Sequence, residues 1–405
     1  MANTLLTIDM ITREALRVLE NKITFYGLIN RQYDDKFARD GAKIGTTVNV
    51  RKPPRYTVRT GQALALQDAT ETQIPVTLTT QAGVDITFSS QDLLLSIDDF
   101  SERFITPAIA AIANQIDRDG LLLFRDVYNM IGTRGTVPNN TLTYLQSLQR
   151  LGEEAAPMDD QMSVVVTPAM QATIVNAVQG LFQDSGQISK QYKRGAMGVG
   201  MGFKWYMDQN IHTHTAGTFS TGSTPLVDGA SQTGSSLVTD GWQNSTAILL
   251  RGDIITLASV NAVNPQHRQD SGFLRQFVVT GDVTSSGAGA ATIPISPDIK
   301  PSTSDPFRTV TQSPANNAVI TPNGIEDGLS PQGLAFHRDF ATCVMADLPL
   351  PGGVDMAARV SHKKTGMSMR LVRQYDINTD QFPCRLDVLY GWALLYPELA
   401  TRVAS

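Results

Sequence analysis

Apolar residues near the start of the chain recur at helical spacing. Ile8, Ile11, Ala15 and Val18 lie three and four apart and so share one helical face. Thr7 precedes them as a candidate N-cap. From Asn30 to Lys43 the chain turns polar, and residues 1–44 read as an arm with no core of its own. The period then changes from helical to two. Val48 and Val50 alternate with polar residues until Pro53-Pro54 stops them. Ile74, Val76 and Leu78 alternate again, and Val84, Ile86 and Phe88 follow beyond a predicted turn at Gln81-Ala82-Gly83. Thr60 to Thr72, between the runs, is polar. Residues 45–90 therefore predict an extended β-hairpin, which is marginal alone in water and needs a surface to lie on.

Helical spacing returns at Ser96, where Ser96-Ile-Asp-Asp resembles a capping box. Phe100, Phe104, Ile109, Ile112, Ala113, Ile116, Leu123, Phe124 and Val127 follow, to Met130. Thr106-Pro107 sits inside the run. Proline is tolerated in a first turn, so the helix either restarts at Thr106 or runs kinked through it. Two more helices are expected at Leu142–Glu154 and Pro168–Gly180, with a strand at Met162–Val166 between them and a glycine-punctuated β region at Gly195–Tyr206. From Thr213 to Ala247 Ser, Thr and Gly dominate, and only Asp228 and Asp240 are charged. Short strands with frequent turn signals then run from Ile248 to Asp298, and residues 302–323 are again rich in Ser, Pro and Asn. Residues 213–330 read as an inserted β domain, a small barrel or sandwich between flexible joints. Mixed α/β patterning returns in 331–405. The fold class is α+β.

Composition narrows the function. The chain has 405 residues, of which 41% are hydrophobic and only 18% charged. A quarter is the usual charged share, so less of this surface needs to face water. Neutral loops and surface covered by partners both account for that. The net charge is −5 and there is no basic run, which argues against sequence-specific DNA binding and leaves room for weak non-specific contact. Cys343 and Cys384 fit free thiols in a reducing cytoplasm. The first fifteen residues carry Asp9, Arg13 and Glu14 and lack the apolar core of a signal peptide. No apolar run is long enough to span a bilayer, and no membrane partner is expected.

Candidate chemistry is sparse. Gly198-Val-Gly200-Met-Gly202 lacks dinucleotide spacing and a following Gly-Lys, and reads as a β-turn or hairpin. His212-Thr-His214 would share one strand face, but nothing nearby completes a metal set, and a surface pair is expected. Asp98-Asp99 suits a helix N-terminus, and Asp117 with Asp119 a solvated helical face. Arg251-Gly-Asp253 reads as a turn into a strand, and its match to an integrin-binding tripeptide as chance. Cys384 with His337 or His362 makes a weak catalytic pair, because Cys384 follows Pro383 in an apolar stretch. No catalytic, cofactor-binding or metal residue is assigned, and no enzyme activity is expected.

The order of parts resembles the major capsid protein of tailed double-stranded-DNA bacteriophages, with the Hong Kong ninety-seven-type capsid fold. It is most similar to the short-tailed-phage coat family with an inserted β-barrel. The resemblance is carried by Ser96-Ile-Asp-Asp-Phe-Ser-Glu-Arg-Phe with Thr106-Pro-Ala, by Gly202-Phe-Lys-Trp-Tyr-Met-Asp-Gln-Asn-Ile, by Arg251-Gly-Asp-Ile-Ile-Thr-Leu with Val263-Asn-Pro-Gln and Phe277-Val-Val-Thr, and by Leu334-Ala-Phe-His-Arg-Asp-Phe with Leu348-Pro-Leu-Pro. It implies an N-terminal arm (1–44), an extended hairpin loop (45–90), a peripheral domain with a long spine helix (91–160), an axial domain (161–212), the inserted β domain (213–330), and a return to both (331–405). It further implies pentamers and hexamers in an icosahedral shell, assembled in the host bacterial cytoplasm with a scaffolding protein and a portal, around packaged double-stranded DNA. Lys52 is a conceivable donor for the cross-link of some relatives, but no acceptor can be assigned. The residues expected to carry assembly are Val48, Val50, Val76, Leu78, Val84, Ile86 and Phe88 on the hairpin, and Ile109, Ile112 and Ile116 in the spine. The alternative is a β-rich phage decoration or fibre protein that binds carbohydrate, which the long helix fits poorly.

Overall fold

The structure, a computed structural model, describes residues 23–31, 47–59, 61–64, 66–68, 71–89, 106–178, 195, 197–219, 223–361 and 367–405. The helix expected around Ile8–Val18, the capping sequence at Ser96 and His362 lie outside them. The chain divides into two compact units. The first takes in the described residues up to Lys52, then Gln73–Leu121 and Ala341–Leu395; the second takes in Pro53–Thr72, Leu122–Phe340 and Tyr396–Ser405.

In the first unit β1 (Thr47–Lys52) pairs with β2 (Thr72–Thr77) in a two-stranded sheet. Their apolar positions Val48, Val50 and Val76 are buried. β3 (Thr80–Ser89) follows, and here the sequence expectation fails. Gln81-Ala82-Gly83 is not a turn. It belongs to an unbroken antiparallel ladder running from Thr80 opposite Tyr390 to Ser89 opposite Gln381, and the chain breaks at Leu78-Thr79 instead. Gly83 serves close approach: an added Cβ would stand 2.5 Å from the Leu386 carbonyl oxygen. The hairpin is thus Thr47–Thr77, and Val84, Ile86 and Phe88 lie on a strand of their own unit's larger sheet.

Among the described residues the first helix is α1 (Thr106–Leu121), and the choice between a restart at Thr106 and a kinked run from Ser96 lies outside the described residues. Ile109, Ile112, Ala113 and Ile116 form its buried face. The expected continuation to Met130 is replaced by a 3₁₀ turn, Leu122–Asp126. Three residues per turn put Leu121, Phe124 and Val127 in one column, and all three are buried. Asp117 and Asp119 are not a solvated face. Buried Asp117 accepts the backbone N–H groups of Thr24 (2.7 Å) and Tyr26 (3.1 Å), which fixes the turn Phe25–Leu28, and Asp119 accepts the Tyr390 hydroxyl at 2.6 Å.

The second unit opens with β4 (Met130–Ile131), α2 (Thr141–Glu153), β5 (Met162–Val166), α3 (Pro168–Ala177), β6 (Val199–Gly200) and β7 (Phe203–Met207). The Asn140 and Thr167 side chains cap the two helices. Met201 and Gly202 both take positive φ between β6 and β7, the geometry of a two-residue hairpin turn, and this accounts for the glycine cluster. Then comes the β insertion: β8 (Thr213–Thr215), β9 (Leu226–Val227), β10 (Gly234–Asp240), β11 (Ala247–Leu249), β12 (Ile254–Val263), β13 (Asp270–Val279), β14 (Val283–Thr284), β15 (Ala291–Ile299) and β16 (Ile320–Pro322). Six strands run in the order β16-β12-β13-β15-β10-β9. Backbone hydrogen bonds from Val227 to Ala318 and from Asn317 to Val227 close the edges towards a barrel. Its interior is one apolar cluster that includes Val227, Leu237, Leu257, Phe277, Ile293 and Ile320.

The chain leaves the insertion on β17 (Leu329–His337). It then builds β18 (Ala341–Ala346), β19 (Met356–Ser361), β20 (Ser368–Arg373) and β21 (Gln381–Leu394) of the first unit. β21 pairs with β3 along one edge, while β18 and β20 share the other. β22 (Ala400–Ala404) completes the second unit's sheet, ordered β4-β22-β17-β5-β7-β6.

Two outcomes test this reading. Ile112→Ala and Ile116→Ala should each cost about 2–5 kcal/mol, because both are buried on α1; urea unfolding measures it. A fragment of residues 213–330 should give a β-type circular dichroism spectrum and a cooperative melt, since its apolar cluster is drawn entirely from within that range.

Candidate functional site: buried charges at the root of the β insertion

The two legs of the insertion are zipped together. Thr213, His214 and Thr215 on β8 pair with Pro331, Ser330 and Leu329 on β17. Beside this zipper Asp253 is almost completely buried. Its Oδ1 accepts from Arg134 Nη1 at 3.0 Å and from His214 Nε2 at 2.9 Å; its Oδ2 accepts the backbone N–H groups of Leu250 at 2.8 Å and Gly217 at 2.9 Å. Arg402, fully buried on β22, donates to the carbonyls of Val127 and Gly252, each at 2.7 Å. Arg251 holds Asp126 through two bonds from Nη2, at 3.0 and 2.9 Å. The Arg251-Gly-Asp sequence is thus a turn whose acidic end faces inward.

Burial opposes the charge on Asp253, but His214, Arg134 and the Leu250 N–H outweigh it and hold the carboxyl below its ordinary range. Burial pushes the His214 ring down, against the pull of Asp253. Burial, reinforced by Arg134, also disfavours the charge on Arg402. The expectation of a surface histidine pair is therefore corrected for His214. The alternation of β8 puts that side chain inward, where a charged partner was waiting that strand spacing does not reveal.

A second junction lies along β13. Arg275 Nη1 meets Glu154 at 2.6 Å, with both side chains buried, and its guanidinium stacks 4.4 Å from the Tyr128 ring centroid. Burial opposes the Arg275 charge, yet Glu154 and Tyr128 hold it in place. Gln276 donates to and accepts from the backbone of Met130, and Arg150 covers the Phe273 ring at 3.5 Å. Clefts of about 620 and 860 Å³ flank α2 here. Amide and hydroxyl side chains make up half of the lining of the first, where Arg150 and Glu153 are the charged residues.

The residues expected to carry assembly fall in three places. Val48, Val50 and Val76 are buried in the β1–β2 pair. Leu78, Val84 and Ile86 are half-buried, the last two on β3 against β21, where Phe88 stands opposite Phe382 in the ladder. Ile109, Ile112 and Ile116 line the buried face of α1. The apolar side chains left open are elsewhere. Val58, Leu64 and Leu66 are 95%, 77% and 87% exposed, with Tyr56 beside them, in the excursion 53–71, whose stretch from Thr60 onward the sequence pattern marks only as polar. Cys384 is buried, and burial raises its thiol pKa, which keeps it unreactive. Among the described residues no group of three or more His, Cys, Asp or Glu is placed to hold a metal.

The family described as "P22 coat protein - gene protein 5" matches residues 70–402. The chain belongs to this family. It is a major capsid protein, a subunit of a phage shell and a component of the virion, with the α+β fold that its sequence predicts. Similar solved structures include a chain of Mycobacterium phage Che8, at 12% identity and TM-score 0.48, covering 94% of this chain and 90% of that one. The capsid of Ralstonia phage GP4 is similar at 6% identity and TM-score 0.46, covering 94% and 88%. The CUS-3 coat protein I-domain is 24% identical, covers 26% of this chain and 99% of that one, and has a TM-score of 0.20. No curated protein matches the sequence.

For the coat protein, Asp253→Asn should destabilise the second unit by about 3–5 kcal/mol, because it strands buried guanidinium groups. Its hub should also respond to pH. Unfolded His214 takes up a proton near its ordinary 6.5, while the folded ring, held lower, resists it. Stability should therefore fall as pH drops below about 6.5. His214→Gln should lose that part of the slope, measured by urea unfolding at pH 7.5 and 5.5.

Proposed function

We propose that the coat protein assembles, as pentamers and hexamers, into an icosahedral shell that encloses packaged double-stranded DNA, without catalysis and without a cofactor. Assembly takes place in the host bacterial cytoplasm, with a scaffolding protein and a portal as partners. Contact with DNA is non-specific, in keeping with the net charge of −5. The observation that carries the reading is the family match over residues 70–402. The open apolar tip supports it physically. Val58, Leu64 and Leu66 leave apolar surface in water that a second copy would remove, and stable interfaces bury roughly 1,200–2,000 Å². The N-terminal arm and the excursion 53–71 reach neighbours, and the β1–β2 pair holds the two ends of the excursion. The insertion 213–330 is a separately cored β domain that braces the subunit.

Electron microscopy of the expressed chain tests the reading, with closed shells or tubes expected. A Leu64→Ser/Leu66→Ser variant should keep the melting temperature of the unassembled subunit, because both side chains are already in water. It should lose most shell-sized particles in a sedimentation assay. Discrete monomers or trimers from the unsubstituted chain would sink the shell reading.

A further inference from the structure

We propose that Arg55 is a clamp: through Glu398 and Phe307 it fixes the root of the excursion 53–71 on its own chain, and so presents the apolar tip to a second copy. Arg55 lies three residues beyond the end of β1. Its Nη2 meets Glu398 Oε1 at 3.1 Å, and its guanidinium covers the Phe307 ring at 5.5 Å from the centroid. Glu398 belongs to the short turn Pro397–Leu399 that leads into β22, so the clamp ties the excursion to a central strand of the second unit's sheet. Phe307 follows β15 within the insertion, and Lys300 approaches the same ring at 5.8 Å.

The charges explain why a cation is wanted there. Glu398 acts electrostatically on both Glu154 and Tyr128, raising the pKa of each. Two acids, Glu154 and Glu398, therefore stand near one another. Arg275 answers the first from the insertion, and Arg55 answers the second from the excursion. Glu398 keeps a side-chain exposure of 17% and Arg55 of 37%, so the contact is partly open and weak enough to form without trapping the chain.

The position of the clamp decides its direction of action. It holds the root and leaves Tyr56, Val58, Leu64 and Leu66 in solvent. A contact that covered the tip would oppose docking. One that orders the root lowers the entropy lost when the tip docks. The choice of a second copy as the docking partner rests on the shell reading above; the clamp itself does not.

Limited trypsin digestion of the unassembled full-length subunit tests the clamp, read as the rate of cleavage after Arg59. Glu398→Gln and Phe307→Leu should each speed that cleavage by about two- to fivefold, the range expected of partly exposed ion pairs and ring contacts. The reversed pair Arg55→Glu/Glu398→Arg should restore the slow rate. Light scattering at fixed subunit concentration should show assembly slowed in both single variants and recovered in the reversed pair. Unchanged cleavage in both single variants, at unchanged melting temperature, overturns the clamp. Faster cleavage with unslowed assembly overturns its presenting role. If the unsubstituted chain forms no shell, the docking half falls with the shell reading, while the cleavage rates still decide the clamp.

Discussion

A charge taken out of water must find its partners inside, and Asp253 meets that demand by drawing on residues far apart in the chain. Arg134, His214, Gly217 and Leu250 all donate to it, and Arg402 braces the adjoining Gly252 carbonyl. An apolar contact at this place would tolerate sliding, because burial energy has no direction. A carboxylate with four aimed donors does not, since each displaced arrangement strands a donor or the charge. The root of the insertion is therefore fixed in geometry more than it is strengthened.

That division of labour runs through the second unit. The insertion's apolar cluster contains residues between Ala216 and Ile320, and a separate cluster gathers Tyr144, Val164, Phe203 and Val403. Between them lie the Asp253 hub, the Arg275–Glu154 pair and the reciprocal bonds of Gln276 with Met130, beside a small apolar cluster of Met130, Ile254 and Ala404. Two cores joined by directional contacts can each stay packed while load passes through the joint. A shell subunit that passes load to its neighbours gains from that separation, and a single continuous core would not separate the two demands.

Much of the fold was legible because it rests on periodicity. The strand Met162–Val166 and the helix beginning at Pro168 follow directly from apolar spacing and proline chemistry. The failures share a cause. Gly83 looks like a turn residue, but it is a glycine because the Leu386 backbone passes close by, and only the tertiary structure shows that. Asp117 looks solvated until the Phe25–Leu28 turn is laid against it. The buried hub was least legible of all. Asp253 sits in a tripeptide that reads as an ordinary turn, and the local signal was Arg402, a lone charge within the short strand Ala400–Ala404.

The low charge content takes on a different meaning in this light. Eighteen per cent of residues are charged, and among the described residues Asp117, Arg134, Glu154, Asp208, Asp253, Arg275, Asp387 and Arg402 are buried. Such side chains are almost never buried in an ordinary domain unless paired, and here most sit at joints. Spending charge on the interior leaves still less for the outside. For a protein alone in solution that would favour aggregation. For a subunit whose neighbours cover much of its surface the same economy is tolerable, because water meets only part of each copy. The polar joints and the apolar tip are thus two sides of one arrangement, with charge placed where geometry must be fixed within a subunit and apolar surface left where one subunit is to meet the next.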